Sequence, residues 1–97
     1  MYRPLPKEIT IKKSKIDGLG LFAIEDIPKD TSLGLSHVKV NGEYIRTPLG
    51  GFYNHSDDPN CETHIDTIGK NMFLLTIKDI KKGEELTAKY TLYKIST

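Results

Sequence analysis

Between Gly50 and Cys61 the chain reads G-G-F-Y-N-H-S-D-D-P-N-C, and no other stretch is as dense in groups that can do chemistry. Asn54, His55 and Ser56 offer hydrogen-bonding side chains in series, Asp57 and Asp58 are carboxylates, and Cys61 is the only thiol of the chain. Gly50 and Gly51 would let backbone come close to a ligand, while Phe52 and Tyr53 would pin the segment to a core and leave its polar atoms facing outward. The chemistry this favours is recognition of a polar partner. His55, Asp57, Asp58, Cys61 and His64 also form H-x-D-D-x-x-C-x-x-H. That spacing matches no closed zinc set, the aspartates flank a turn proline, and a second cysteine is missing, so no metal is expected.

The elements that must position these residues are short and extended. From Glu8 to Lys13 apolar Ile9 and Ile11 alternate with Thr10 and Lys12, the period of a half-buried strand. In I-D-G-L-G-L-F-A-I, Gly18 and Gly20 loosen the backbone ahead of a second strand through Leu21 to Ile24. A third strand runs from Leu33 to Val40, and Asn41-Gly42 fits a type I′ turn that pairs Val38 with Ile45; Thr47-Pro48-Leu49 then ends the hairpin. Glu62 to Ile68 and Asn71 to Ile77 are strand-like, and the second, apolar on both sides, reads as central and fully buried. I-K-D-I-K-K-G-E-E-L, from Ile77, echoes I-E-D-I-P-K-D-T-S-L, from Ile24, which predicts two similar corners. No segment has helical periodicity, so the fold class is mainly β.

With 97 residues the chain is expected to be a single domain over 1–97, with a short N-terminal arm at 1–7. Its start lacks an apolar run of the secretory kind, and the lone Cys61 permits no internal disulfide; an intracellular protein, cytoplasmic or nuclear and not secreted, is expected, with no membrane span. Fourteen basic residues against 13 acidic ones leave a charge of +1, which argues against direct nucleic-acid binding by bulk electrostatics.

Three segments in order, G-L-G-L-F-A from Gly18, N-H-S-D-D-P-N-C from Asn54 and G-E-E-L-T-A-K-Y from Gly83, resemble the SET-domain protein lysine methyltransferases. The resemblance runs from about Ile9 to Tyr93. It implies a fold of several short sheets, the β-clip, whose C-terminal segment threads beneath the Asn54 loop as a pseudoknot. It also implies S-adenosylmethionine as cofactor and a protein or peptide lysine as methyl acceptor. Carried over residue by residue, Gly18, Leu19 and Gly20 approach the methionine end of the cofactor. Asn54 and His55 hold its amino group and adenine, and Tyr90 stands at the transfer point as the catalytic residue. Tyr53 and Tyr93 are candidates for lining the substrate channel, and Asp57 and Asp58 for attracting a basic peptide. The competing class is a trimmed module that binds peptide or cofactor without transferring methyl groups.

The chain departs from the family pattern in two places. The insert that usually forms one wall of the substrate groove is shortened to about residues 41–49, and no cysteine-rich extension follows Tyr93. The missing wall is expected from a second copy of the chain, as a homodimer, or from the substrate protein.

Overall fold

The computed structural model describes residues 5–66 and 70–89. Its strands are β1 (Ile9–Lys13), β2 (Leu19–Ala23), β3 (Ser32–Val40), β4 (Glu43–Arg46), β5 (Asn54–His55), β6 (Cys61–Ile65), β7 (Met72–Thr76) and β8 (Glu85–Ala88), with one short helix, α1 (Pro48–Phe52), between β4 and β5. They form two four-stranded sheets, ordered β1-β2-β8-β5 and β4-β3-β7-β6. The mainly β expectation holds. The predicted turn holds as well: Asn41 and Gly42 have φ of 51° and 82°, and Val38 pairs with Ile45.

The echoed segments turn out to be halves of an exchange. β1 pairs with β2 from Ile9↔Ala23 to Lys13↔Leu19, and β6 pairs with β7 in the same pattern, from Cys61↔Thr76 to Ile65↔Met72. Each pair runs into its corner, and the strand beyond crosses to the other half: β3 joins β7, and β8 joins β2. The corners meet through reciprocal bonds, Ile27 N to Ile80 O at 2.7 Å and Ile80 N to Ile27 O at 2.8 Å. Asp26 accepts from Lys82 N and Asp79 from Lys29 N, both at 2.8 Å. Gly83 N donates to Ala23 O at 2.8 Å, and Asp30 N donates to Thr76 O at 2.9 Å. Even the left-handed backbone recurs, at Gly83 (φ 92°) and Asp30 (φ 66°).

The core fills the space between the sheets. Leu21, Leu74 and Leu86 are fully buried beside Ile27 and Ile80 from the corners. Each such leucine contributes about 1.5–3 kcal/mol by leaving water. β7 lies inside its sheet, but it is not buried on both faces: Met72, Leu74 and Thr76 face the core, whereas Phe73 and Leu75 are only half-buried. Alternation separates the two sets, and an apolar residue on the outer face does not by itself bring cover.

The segment expected to break the hairpin instead forms α1. Thr47 caps it by accepting from Gly50 N at 3.3 Å, and Pro48 opens it with a φ already set for a helix. Five residues containing two glycines give no periodic pattern, so the helix is held by its cap and by packing. Gly50 serves that packing. A Cβ there would overlap the backbone carbonyl of Ser36 on β3, so the close approach this glycine permits is to the protein's own sheet. Among the described residues no helix is long and apolar enough to cross a membrane.

Candidate functional site

The dense stretch begins inside the fold, comes to the surface at His55, Asp57 and Asp58, and is buried again at Cys61. Leu49 and Tyr53 are buried in the core cluster, with Phe52 packed against it. Asn54 and His55 follow as β5, an edge strand that runs parallel to β8 with Asn54 beside Thr87 and His55 beside Ala88. Asn60 locks the two together. Its Oδ1 accepts from Thr87 N at 2.8 Å and its Nδ2 donates to Glu85 O at 2.8 Å, while its own carbonyl accepts from Ile77 N at 2.9 Å. The D-D-P-N turn thus fixes the register of Asn54 against the last described strand.

Asn54 is buried and its side chain crosses to the loop ahead of β2. Nδ2 lies 2.7 Å from Glu85 Oε2, 3.0 Å from Ser14 Oγ, 3.2 Å from Asp17 O and 3.3 Å from Leu19 O. Ser14 donates its hydroxyl proton to the Glu85 carboxylate at 2.8 Å and accepts from Ile16 N at 2.9 Å, and its amide donates to Gly18 O at 2.8 Å. Four acceptors therefore surround one amide group. A place rich in carbonyl and carboxylate oxygen suits an ammonium group, because such a group brings donors only. The side chains of Ile16 and Leu19 are exposed at its rim.

His55 points outward, and its Nε2 lies 3.2 Å from Asp57 Oδ1. Asp58 is engaged by Lys78 Nζ at 2.7 Å, and that hydrogen bond, with the charge behind it, holds its carboxyl below the usual range. Cys61 is fully buried, and burial pushes its thiol up to about 12, so it stays a protonated core residue. His64 stacks on Phe73 and pairs with Glu62. The would-be metal ligands are thus dispersed, and among the described residues no group of three or more histidine, cysteine, aspartate or glutamate side chains could hold a metal.

The structure brings Gly18, Leu19, Gly20, Asn54 and His55 to one end of the first sheet. Tyr53 is buried in the core, where its ring anchors the segment, and Asp57 and Asp58 lie exposed beyond it. Tyr90 and Tyr93 lie outside the described residues, as does the threading that would make a pseudoknot. Sequence reasoning missed Ser14 and Glu85. Ser14 is hidden in the basic run K-K-S-K, and Glu85 reads as one more surface charge in K-K-G-E-E-L. Only in the folded chain does Gly20 point to Glu85, since a Cβ there would overlap its carboxylate.

Two small sheets joined by exchanged strands, with a polar site where β5 and β8 meet the loop ahead of β2, define a class of protein, and comparison with known proteins assigns it. The model of the SET domain matches residues 35–91, more than half of the chain, and the chain belongs to the SET-domain family. The human protein named histone-lysine N-methyltransferase 2D is 29% identical over 125 residues, covering 92% of this chain and 2% of that protein. The Neurospora crassa protein named histone-lysine N-methyltransferase, H3 lysine-9 specific dim-5 is 37% identical over 93 residues, covering 86% of this chain and 27% of that protein. The chain thus spans a small part of these relatives. The human alignment is longer than the whole 97-residue chain, so that relative carries residues within the matched span that are missing here.

Solved structures agree on the fold. A Plasmodium falciparum protein provisionally named a histone methyltransferase superposes with a TM-score of 0.73 at 26% identity, over 88% of this chain and 94% of that one. The methyltransferase domain of human PR domain-containing protein 2 gives 0.69 at 17% identity, over 87% of this chain and 77% of that one, and supports the fold alone.

Proposed function

We propose that this chain transfers a methyl group from S-adenosylmethionine to the side-chain amine of a lysine in a protein. The observation that carries the reading is the meeting of three separate motifs. Asn54 of N-H-S-D-D-P-N-C reaches Leu19 O of G-L-G-L-F-A at 3.3 Å and Glu85 of G-E-E-L-T-A-K-Y at 2.7 Å. The oxygen-rich setting of Asn54 fits the ammonium of the cofactor's methionine portion, and the exposed ring of His55 fits a planar base beside it.

When bound, S-adenosylmethionine supplies a methyl group on a sulfonium, which an amine can displace without a metal or a covalent intermediate. The work left to the chain is positioning and exclusion of water. Gly18, Leu19 and Gly20 would hold one end of the cofactor through backbone atoms, and Asn54 and His55 the other polar groups. The acceptor lysine must arrive neutral although its ordinary pKa is about 10.4, and a desolvating channel lowers it. Tyr90, two positions beyond the end of β8, would orient that amine with its hydroxyl.

The names of the relatives make histones the first substrates to test, with other basic proteins beside them. The shortened insert at about residues 41–49 would leave one side of the substrate groove to be built by a second copy of the chain or by the substrate itself. Incubation with isotopically labelled S-adenosylmethionine and a set of histones and basic proteins, read by mass spectrometry, tests the reading. Label on lysine side chains is the expected result. Cofactor binding without label on any protein would make the chain a binding module.

A further inference from the structure

We propose that Glu85, assisted by Ser14, is a positioning residue that fixes which way the Asn54 amide faces. The inference rests on the reading of Asn54 as a cofactor-binding residue. An asparagine amide has a donor branch and an acceptor branch of nearly equal shape, so its orientation is decided by its neighbours. A carboxylate only accepts. Glu85 Oε2, 2.7 Å from Nδ2, therefore directs the donor branch inward, and the carbonyls of Asp17 and Leu19 enforce the same choice. The acceptor branch, Oδ1, is left for a ligand that brings donors, as an ammonium does.

The fold keeps Glu85 in place by independent means. Its backbone pairs with Phe22 across β2 and β8, and its carbonyl accepts from Asn60 Nδ2. Both carboxylate oxygens accept from Ser14 Oγ, at 2.8 and 2.9 Å. Among the described residues no cation pairs with Glu85, so its charge is directed to these two neutral donors, where a charge-assisted bond is stronger than a neutral one. Gly20 completes the arrangement. A Cβ there would overlap the carboxylate and come within 3.2 Å of Asn54 Nδ2, so the second glycine of G-L-G makes room for Glu85.

The test combines a cofactor-free and a cofactor-bound measurement. In the free protein, nuclear magnetic resonance of the Asn54 side-chain amide should give two well-separated proton signals that exchange slowly. Glu85→Gln should move them towards those of exposed Asn41, and Ser14→Ala should do so to a smaller extent. An Asn54 amide indifferent to both changes overturns the proposal. In calorimetry with S-adenosylmethionine, Glu85→Gln should weaken binding by about tenfold, the effect of one charge-assisted hydrogen bond. In an Asn54→Ala background the same change should alter binding less than about twofold, because a residue acting through Asn54 has nothing left to position. Equal losses in both backgrounds would show that Glu85 acts by another route and overturn the proposal. If the wild-type protein binds no S-adenosylmethionine, the methyltransferase reading fails and the amide signals alone decide whether the clamp exists.

Discussion

His37 is buried in β3 with its Nδ1 2.9 Å from Ser36 Oγ and its ring edge-on to Tyr44 at 6.3 Å. Burial, and secondarily the charge of Arg46, lower its pKa below the ordinary 6.5, so the folded protein resists its protonation. The unfolded chain binds that proton more readily. Stability from this residue is therefore present above about pH 6.5 and is lost as pH falls below it, through the lowered folded value. Thermal melting should drop on acidification from neutral pH towards 5, and His37→Gln should flatten that part of the profile. A profile unchanged by the substitution would place the pH dependence elsewhere. At the proposed transfer point, Tyr90→Phe should leave S-adenosylmethionine binding near its original strength and reduce methyl transfer by two orders of magnitude or more, about the contribution of a positioned hydroxyl. Calorimetry and label incorporation on the same samples separate the two effects. Asn54 and His55 stood out in the sequence because their stretch is so dense in polar groups. Ser14 and Glu85 did not, because the bonds that make them matter join residues far apart in the chain, and composition carries no trace of that.

At the scale of the element, α1 makes the sharpest test. Its adjacent glycines look alike in the sequence, yet Gly50 is buried against Ser36 O while a Cβ on Gly51 would meet nothing within 4 Å. Gly50→Ala should thus cost about 2–4 kcal/mol through forced separation of helix and sheet, whereas Gly51→Ala should be neutral or stabilise by up to about 1 kcal/mol. Urea unfolding of the two variants measures the difference, and equal effects would contradict the packing. Thr47→Ala should cost about 1 kcal/mol, since its hydroxyl caps Gly50 N and also donates to Leu35 O at 2.6 Å. The strands and the Asn41-Gly42 hairpin were legible because alternation and turn chemistry are local. α1 was not, because a capped turn of five residues has no period to read. The half-exposed outer face of β7 was also hidden, since a run apolar on both sides is equally consistent with cover on one face or on two.

For the molecule as a whole, the echoed corners say more than the sequence could. Similar segments predicted similar corners, but not that each unit would give its last strand to the other's sheet. The exchange has an energetic consequence. Asp26 holds Lys82 N and Asp79 holds Lys29 N, so each carboxylate belongs to one half and stabilises the backbone of the other. The pairing of Ile27 with Ile80 ties the same corners between the two sheets. The two sheets should consequently have no separate stabilities. Asn54 and His55 of the candidate site belong to the segment between the duplicated units, where β4 and β5 cap opposite sheets. The site depends on the exchange because β5 leans on β8 while Asn54 reaches both Leu19 of the first unit and Glu85 of the second. Asp26→Ala and Asp79→Ala should each cost about 1 kcal/mol, the loss of one carboxylate-to-amide bond at a partly exposed corner. Native-state hydrogen exchange should register that loss equally in the amides of β2 and β7, whichever aspartate is removed, because global opening exposes both sheets together. Protection that falls in one sheet alone would mean that the halves open independently and that the exchanged strands do not couple them.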